Sequence, residues 1–184
     1  SPNGDQIAAG CGDSAILVWE AGELTTILRA HAEPVVSLAW GPGGLVSGSH
    51  DGTVACWTGA GLEFSGRHGA HGLPVGSVAW TGEGVVSCSA SADRRVLRWT
   101  GEAVEQLFVA SGEPCGVSSA GNLVACSTTE WAAELFDLEL GVLTARLAVK
   151  DPVRNLWQGP ALHPSRPLLA TLDGGDRIVR IWAV

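Results

Sequence analysis

Apolar and polar positions alternate in short runs along the chain, and each run closes on an aromatic residue. ILVW ends at Trp19, VACW at Trp57, VLRW at Trp99, AELF at Phe136 and VRIW at Trp182. Short alternating or wholly apolar runs rich in Val, Ile and Trp predict strands that lie half-buried or buried between neighbouring sheets. Clusters of Gly, Pro, Asp and Ser punctuate them as turns. The run around Trp57 shows the unit in full. A first strand covers Val35–Trp40, and Gly41-Pro42-Gly43-Gly44 turns the chain into a second, Leu45–Ser49. His50-Asp51-Gly52 turns it again into Thr53–Trp57, and a fourth strand lies at Glu63–Gly66 before a loop over Arg67–Leu73. No stretch carries a helical period with caps. The expectation is an all-β chain.

The units repeat. The closing aromatics are spaced by 38, 42, 37 and 46 residues, and a second marker keeps the same beat, VVSLAW ending at Trp40 and VGSVAW at Trp80. Pro34-Val35, Pro74-Val75 and Pro152-Val153 open three of the units, and Asp13, Asp51, Asp93 and Asp176 each stand six residues before the closing Trp. A period near 40 marks a stack of small sheets, each burying its faces against its neighbours. The units fall at about 1–30, 31–70, 71–110, 111–150 and 151–184. They parse into three strands, then four in each of three units, then three.

Composition narrows the function classes. Of the 184 residues 46% are hydrophobic and 16% charged, with 25 Gly and 8 Trp, as many tight turns between buried strands require. A net charge of −8 with a single lysine, Lys150, argues against a nucleic-acid binder. No apolar run approaches a membrane span, and no basic-then-apolar leader opens the chain. The cysteines, Cys11, Cys56, Cys88, Cys115 and Cys126, are odd in number and have no metal-ligand spacing. Free thiols in a reducing, cytoplasmic setting are the expectation.

A period near 40 with a His before the first strand, Asp before the third and Trp ending it resembles the WD40 repeat family. That resemblance implies a β-propeller of four-stranded blades, about four and a half of a seven-bladed ring, with its N-terminal part absent. The lone chain is accordingly expected to expose sheet edges and not to behave as a stable monomer. The remainder of the ring would come from preceding sequence or from another chain. His31, Ser47, Asp51 and Trp57 fit the family's His–Ser–Asp–Trp pattern. The third unit offers His71, Ser89 (or Ser87, since that strand reads as extended), Asp93 and Trp99. The first keeps Asp13 and Trp19 with Ala9 at the Ser position, and the fifth keeps Asp176 and Trp182. The fourth is degenerate, with Glu130, Cys126 and Phe136 at the Asp, Ser and Trp positions. Within the family, Ser1–His31 and Asn155–Trp182 are similar to the echinoderm microtubule-associated protein-like family, whose coiled coil and hydrophobic signature are not in this sequence.

His, Ser and Asp together also invite a catalytic-triad reading. A nucleophilic site occurs once, beside an oxyanion hole, whereas this trio recurs with the repeat and ends on a Trp whose N–H can only donate. A structural hydrogen-bond chain is expected, with no catalytic, cofactor or metal site. His68 and His71 lack a third ligand and read as plain loop. Partner contacts are expected on the loops at one end of the ring, at Glu33, His50, Leu73, Ala92, Glu113, Trp131, Lys150, Asp151 and Asp173, with Trp131 the candidate anchor. Arg94, Arg95 and Arg98 form a basic cluster that reads as a solvated face or as a match for an acidic partner such as tubulin. The resulting expectation is a non-enzymatic protein-interaction scaffold with a microtubule, cytoskeletal or ciliary association. The alternative is a WD40 adaptor of another complex.

Overall fold

The computed structural model describes residues 1–69, 71–89, 92–101, 103–130, 132–148, 159–173 and 178–184. Its described residues form strands and turns without a helix, in five antiparallel sheets whose strands neighbour one another in sequence order. The first sheet holds β1 (Gln6–Gly10), β2 (Ala15–Glu20) and β3 (Glu23–Arg29). The second holds β4 (Val35–Gly41), β5 (Gly44–Ser49), β6 (Thr53–Thr58) and β7 (Glu63–Gly69). The third comprises β8 (Val75–Trp80), β9 (Val85–Ser89), β10 (Arg95–Thr100) and β11 (Ala103–Val109). The fourth comprises β12 (Pro114–Ala120), β13 (Leu123–Thr128), β14 (Ala132–Asp137) and β15 (Val142–Ala148). The fifth has β16 (Ala161–Leu162), β17 (Leu168–Asp173) and β18 (Ile178–Ala183).

The core lies between sheets rather than within one. Ile16 and Val18 of the first sheet meet Leu45 and Trp57 of the second, and Val46 and Val54 meet Val75, Leu97 and Trp99 of the third. Val86 and Val96 pack on Val124 and Phe136, and Leu135 packs on Leu169. Trp57 and Trp99 are each 3% exposed, so burial of either indole contributes about 1.5–3 kcal/mol. β4, β8 and β12 are the inner strands and lie side by side. Trp80 of β8 lies across the turn that ends β4, so a Cβ on Gly41 would sit 2.2 Å from its ring.

Two features depart from the sequence expectation. The fourth strand of the second unit runs to Gly69, not Gly66, because Gly69, His68 and Arg67 pair with Thr53, Val54 and Ala55 along the whole third strand. The third–fourth strand pairs also carry a register shift within or beside the closing motif, at Val18/Trp19, Cys56/Trp57, Val96/Leu97 and Leu135/Phe136. Such bulges re-aim the side chains beside them.

Candidate functional site

The turn before each third strand organises one end of the sheets. Asp51 Oδ1 accepts the Thr53 N–H at 2.9 Å, and Gly52 between them has a φ of 80°. A Cβ on Gly52 would lie 2.6 Å from the His71 carbonyl oxygen, so the next unit's linker packs directly on this turn. Asp93 repeats the bond to the Arg95 N–H at 3.1 Å, with Arg94 at φ 50° where the second unit has glycine.

Behind these turns lies the polar chain. The Trp57 indole N–H donates to Ser47 Oγ at 3.0 Å, Ser47 Oγ stands 2.8 Å from His31 Nε2, and His31 Nδ1 lies 3.3 Å from Asp51 Oδ2. Donation running Trp to Ser to His to Asp satisfies every member. The other Asp51 contacts, from the Ala32 N–H at 2.8 Å and the Thr53 hydroxyl, tie the linker to the turn. Burial lowers the His31 pKa below the ordinary value and outweighs Asp51, which pulls it upward. Burial would raise Asp51, yet the hydrogen bonds from Thr53 and Ala32 hold its carboxyl below the usual range.

In the third unit the geometry selects Ser87 and corrects Ser89. Ser87 Oγ is 2.9 Å from His71 Nε2 and accepts the Trp99 indole N–H at 2.8 Å, while Ser89 Oγ donates to the Pro74 carbonyl at 3.0 Å. Cross-strand register explains the choice: Ser87 pairs with Leu97, two residues before Trp99, as Ser47 pairs with Ala55, two residues before Trp57. His71 stands in the linker before β8, as a loop residue, and both its ring nitrogens are engaged, at 3.1 Å to Asp93 and 2.9 Å to Ser87. His68 belongs to β7 and rests against the Trp99 ring at 5.3 Å between centroids.

The outer units differ. Asp13 is exposed and pairs with Arg29 at 3.3 Å. Trp19 is half-buried. In the fifth unit Trp182 donates to Thr171 Oγ1 at 2.8 Å, a hydroxyl in the Ser role that sequence reading missed. The fourth unit carries an unforeseen substitute. Glu134, 3% exposed on β14, accepts the Ser111 N–H at 3.2 Å and faces Arg146 at 3.7 Å. Ser111 follows His31 and His71 at intervals of 40 residues, a signal present in the sequence.

Glu33, His50 and Arg94 are exposed on this loop end, Leu73 is 40% exposed, and Glu113 is exposed beside them. The basic cluster is not a free face. Arg94 donates to the Ser111 carbonyl at 3.2 Å, Arg95 meets Asp93 at 3.3 Å and Arg98 meets Glu105 at 2.8 Å. Asp173 closes β17 opposite Ile178 instead of standing in a loop. Trp131, Lys150, Asp151 and Asp176 lie outside the described residues. All five cysteines are free thiols, with Cys88 and Cys126 raised by burial. Among the described residues no group of His, Cys, Asp and Glu could hold a metal ion, and no helix is long and apolar enough to cross a membrane.

Residues 22–58 match the family model for the WD domain, G-beta repeat. The chain is 29% identical over 182 residues to the F-box-like/WD repeat-containing protein TBL1X of Macaca fascicularis, covering 86% of this chain and 30% of that protein. It is 41% identical over 66 residues to the pre-rRNA-processing protein IPI3 of Mycosarcoma maydis, covering 34% of this chain and 11% of that one. The COMPASS component SWD1 of Saccharomyces cerevisiae is 34% identical over 65 residues, 31% of this chain and 15% of that protein. The solved structure of U3-55K superposes with a TM-score of 0.82 at 22% identity, over 100% of this chain and 60% of that chain. The chain thus spans under a third of the first relatives' length and has the fold of a partial WD40-type β-propeller. These matches support the WD40-repeat family and do not extend to the microtubule-associated branch.

Proposed function

We propose that this WD40-type propeller segment is a non-enzymatic scaffold that docks other proteins on the loop end carrying Glu33, His50, Leu73, Arg94 and Glu113. One observation carries the reading. The His–Asp pairs that would be the natural catalytic groups have fully buried imidazoles, at 0% exposure for His31 and His71, and are consumed in holding those loops. The polar chain makes the loops rigid, and the exposed side chains are mixed in charge and shape, which suits protein recognition. IPI3 and SWD1, named for a processing role and a complex, fit an adaptor within an assembly. A cytoplasmic location belongs to the same proposal and rests on the thiols alone.

Capture of partners by the wild-type chain and by a Glu33→Lys, Arg94→Glu double variant, followed by mass spectrometry, tests this. Partners lost by the variant at unchanged folding support it, and an identical partner set counts against it. The microtubule association is the finer reading, carried by the similarity of Ser1–His31 and Asn155–Trp182. Co-sedimentation with polymerised tubulin decides it.

A further inference from the structure

The inner strands are joined by serine rungs, which fix how successive sheets correspond. The Val78 N–H of β8 donates to Ser37 Oγ of β4 at 3.0 Å, and the Val117 N–H of β12 donates to Ser77 Oγ of β8 at 3.2 Å. Val117 thus takes the place of Val78, and Ser119 that of Trp80, opposite Val124 as Trp80 is opposite Val85. The exchange matters at the end of the sheets away from the Asp51 and Asp93 turns. Between the second and third sheets the Trp80 ring covers the β4–β5 turn, so closely that a Cβ on Gly43 would fall 2.6 Å from it. Between the third and fourth sheets Ser119 supplies no ring, and a cleft of about 260 Å³ opens there. Its lining is polar. Glu83 holds the place of Gly43 in its turn, and Arg98 holds that of Cys56, opposite Val86 as Cys56 is opposite Val46. Asn122, Leu138 and Glu139 line it from the fourth sheet.

We infer that this cleft is a socket for an arginine side chain of a partner polypeptide. Size comes first. Pockets for drug-sized ligands run to roughly 300–1,000 Å³, and this one suits a single long side chain. Charge selects a cation. Arg98 is the one cation among the lining residues, and its Nη2 is committed to Glu105 at 2.8 Å. Glu83 lies 3.8 Å from Arg98 Nη1, beyond hydrogen-bond reach, and its side chain is 82% exposed, so its carboxylate can take a second cation. The Asn122 amide donates to Glu139 Oε2 at 2.7 Å, which positions that carboxylate and leaves its other oxygen as an acceptor. Hydrogen bonding selects a peptide. Among the described residues the buried Arg98 Nε has no hydrogen-bond partner, a costly state that a backbone carbonyl beside the bound arginine relieves. A guanidinium is flat, as the Trp80 indole is, and its fork of donors bridges carboxylates where an ammonium is a point charge. This site lies at the opposite end of the sheets from the docking loops and does not depend on them.

The probe is the peptide acetyl-Ala-Gly-Arg-Gly-Ala-amide, titrated into the 184-residue chain and followed by backbone amide resonances. Shifts are expected at Gly82, Glu83 and Asn122 and not at His50 or Arg94. Citrulline in place of the peptide's arginine keeps the shape and loses the charge, and should weaken binding about tenfold. Glu83→Gln in the chain, at an exposed side chain on which the turn does not rest, should weaken it by a similar factor. Equal binding of the two peptides, or undiminished binding by the variant, overturns the charge recognition. Shifts confined to the loop end, or none, overturn the site. Tighter binding of a peptide with tryptophan in place of the arginine overturns it in favour of an aromatic anchor.

Discussion

The Trp99 indole N–H donates to Ser87 Oγ at 2.8 Å, and the same hydroxyl stands 2.9 Å from His71 Nε2. One oxygen thus serves two buried rings from a strand and a linker. Ser87→Ala leaves both without a partner and is expected to cost about 1–3 kcal/mol, lowering the melting temperature by roughly 3–10 °C. Ser89→Ala removes a bond to the Pro74 carbonyl at the end of β9 but leaves the two rings partnered, and should cost less, about 0.5–1.5 kcal/mol. Thermal melts of the two variants rank them. The reverse order would return the role to Ser89.

The same chain makes stability depend on pH. Burial lowers His31 and His71 below 6.5, against the opposing pull of Asp51 and Asp93. The unfolded chain therefore binds protons that the folded one refuses, and stability falls as the pH drops below about 6.5. For Asp51 and Asp93, burial acts upward but the hydrogen bonds more than offset it, so both sit below 3.8. Their contribution is present above that value and is lost as pH falls through their folded pKa. Melting temperature should be level above about pH 7, decline through the histidine range, and decline again in the carboxylate range. A level profile down to pH 5 contradicts the assignment.

Much of this was legible because the repeat is written in large residues. Trp19, Trp57, Trp99 and Trp182 mark the third strands, and Asp51 and Asp93 mark the turns. The choice between Ser87 and Ser89 was not legible, because both face one side of a strand that alternation alone cannot register. Glu134 was hidden for another reason. It replaces the network from the third strand, at the register of Ala55 and Leu97, whereas the pattern placed the acid at Glu130 in the turn. The serine rungs stood in plain sight in VVSLAW and VGSVAW, but a hydroxyl bonding to another sheet leaves no local signature.

Glu134 gives the fourth sheet its polar anchor. Glu134→Ala should destabilise by about 1–3 kcal/mol, since the Ser111 N–H loses its acceptor and Arg146 its ion pair. Glu134→Gln keeps an acceptor of the same shape and should cost less. Chemical denaturation of both variants separates the hydrogen bond from the charge.

Close packing of the inner turns yields a steric test. A methyl at Gly41 would stand 2.2 Å from the Trp80 ring, so Gly41→Ala forces the indole off the turn and strains its bond to the Ala39 carbonyl. Overpacking of this kind costs about 1–3 kcal/mol. Gly12→Ala meets nothing within 4 Å and serves as the control. Near-ultraviolet circular dichroism should register the displaced Trp80 in the first variant and no change in the second.

Arg94 separates stability from recognition. It is exposed and held at φ 50° in a turn where the second unit uses Gly52 at φ 80°. A non-glycine residue there costs about 1–2 kcal/mol, while its exposed bond to the Ser111 carbonyl returns a few tenths at most. Arg94→Gly should therefore leave the melting temperature unchanged or raise it by roughly 2–4 °C. If the loop end is the docking face, the same variant should retain less partner in a pull-down. Strain kept at an exposed residue that stability does not require points to contact as its use. A gain in stability with undiminished partner capture would move the docking contacts away from Arg94.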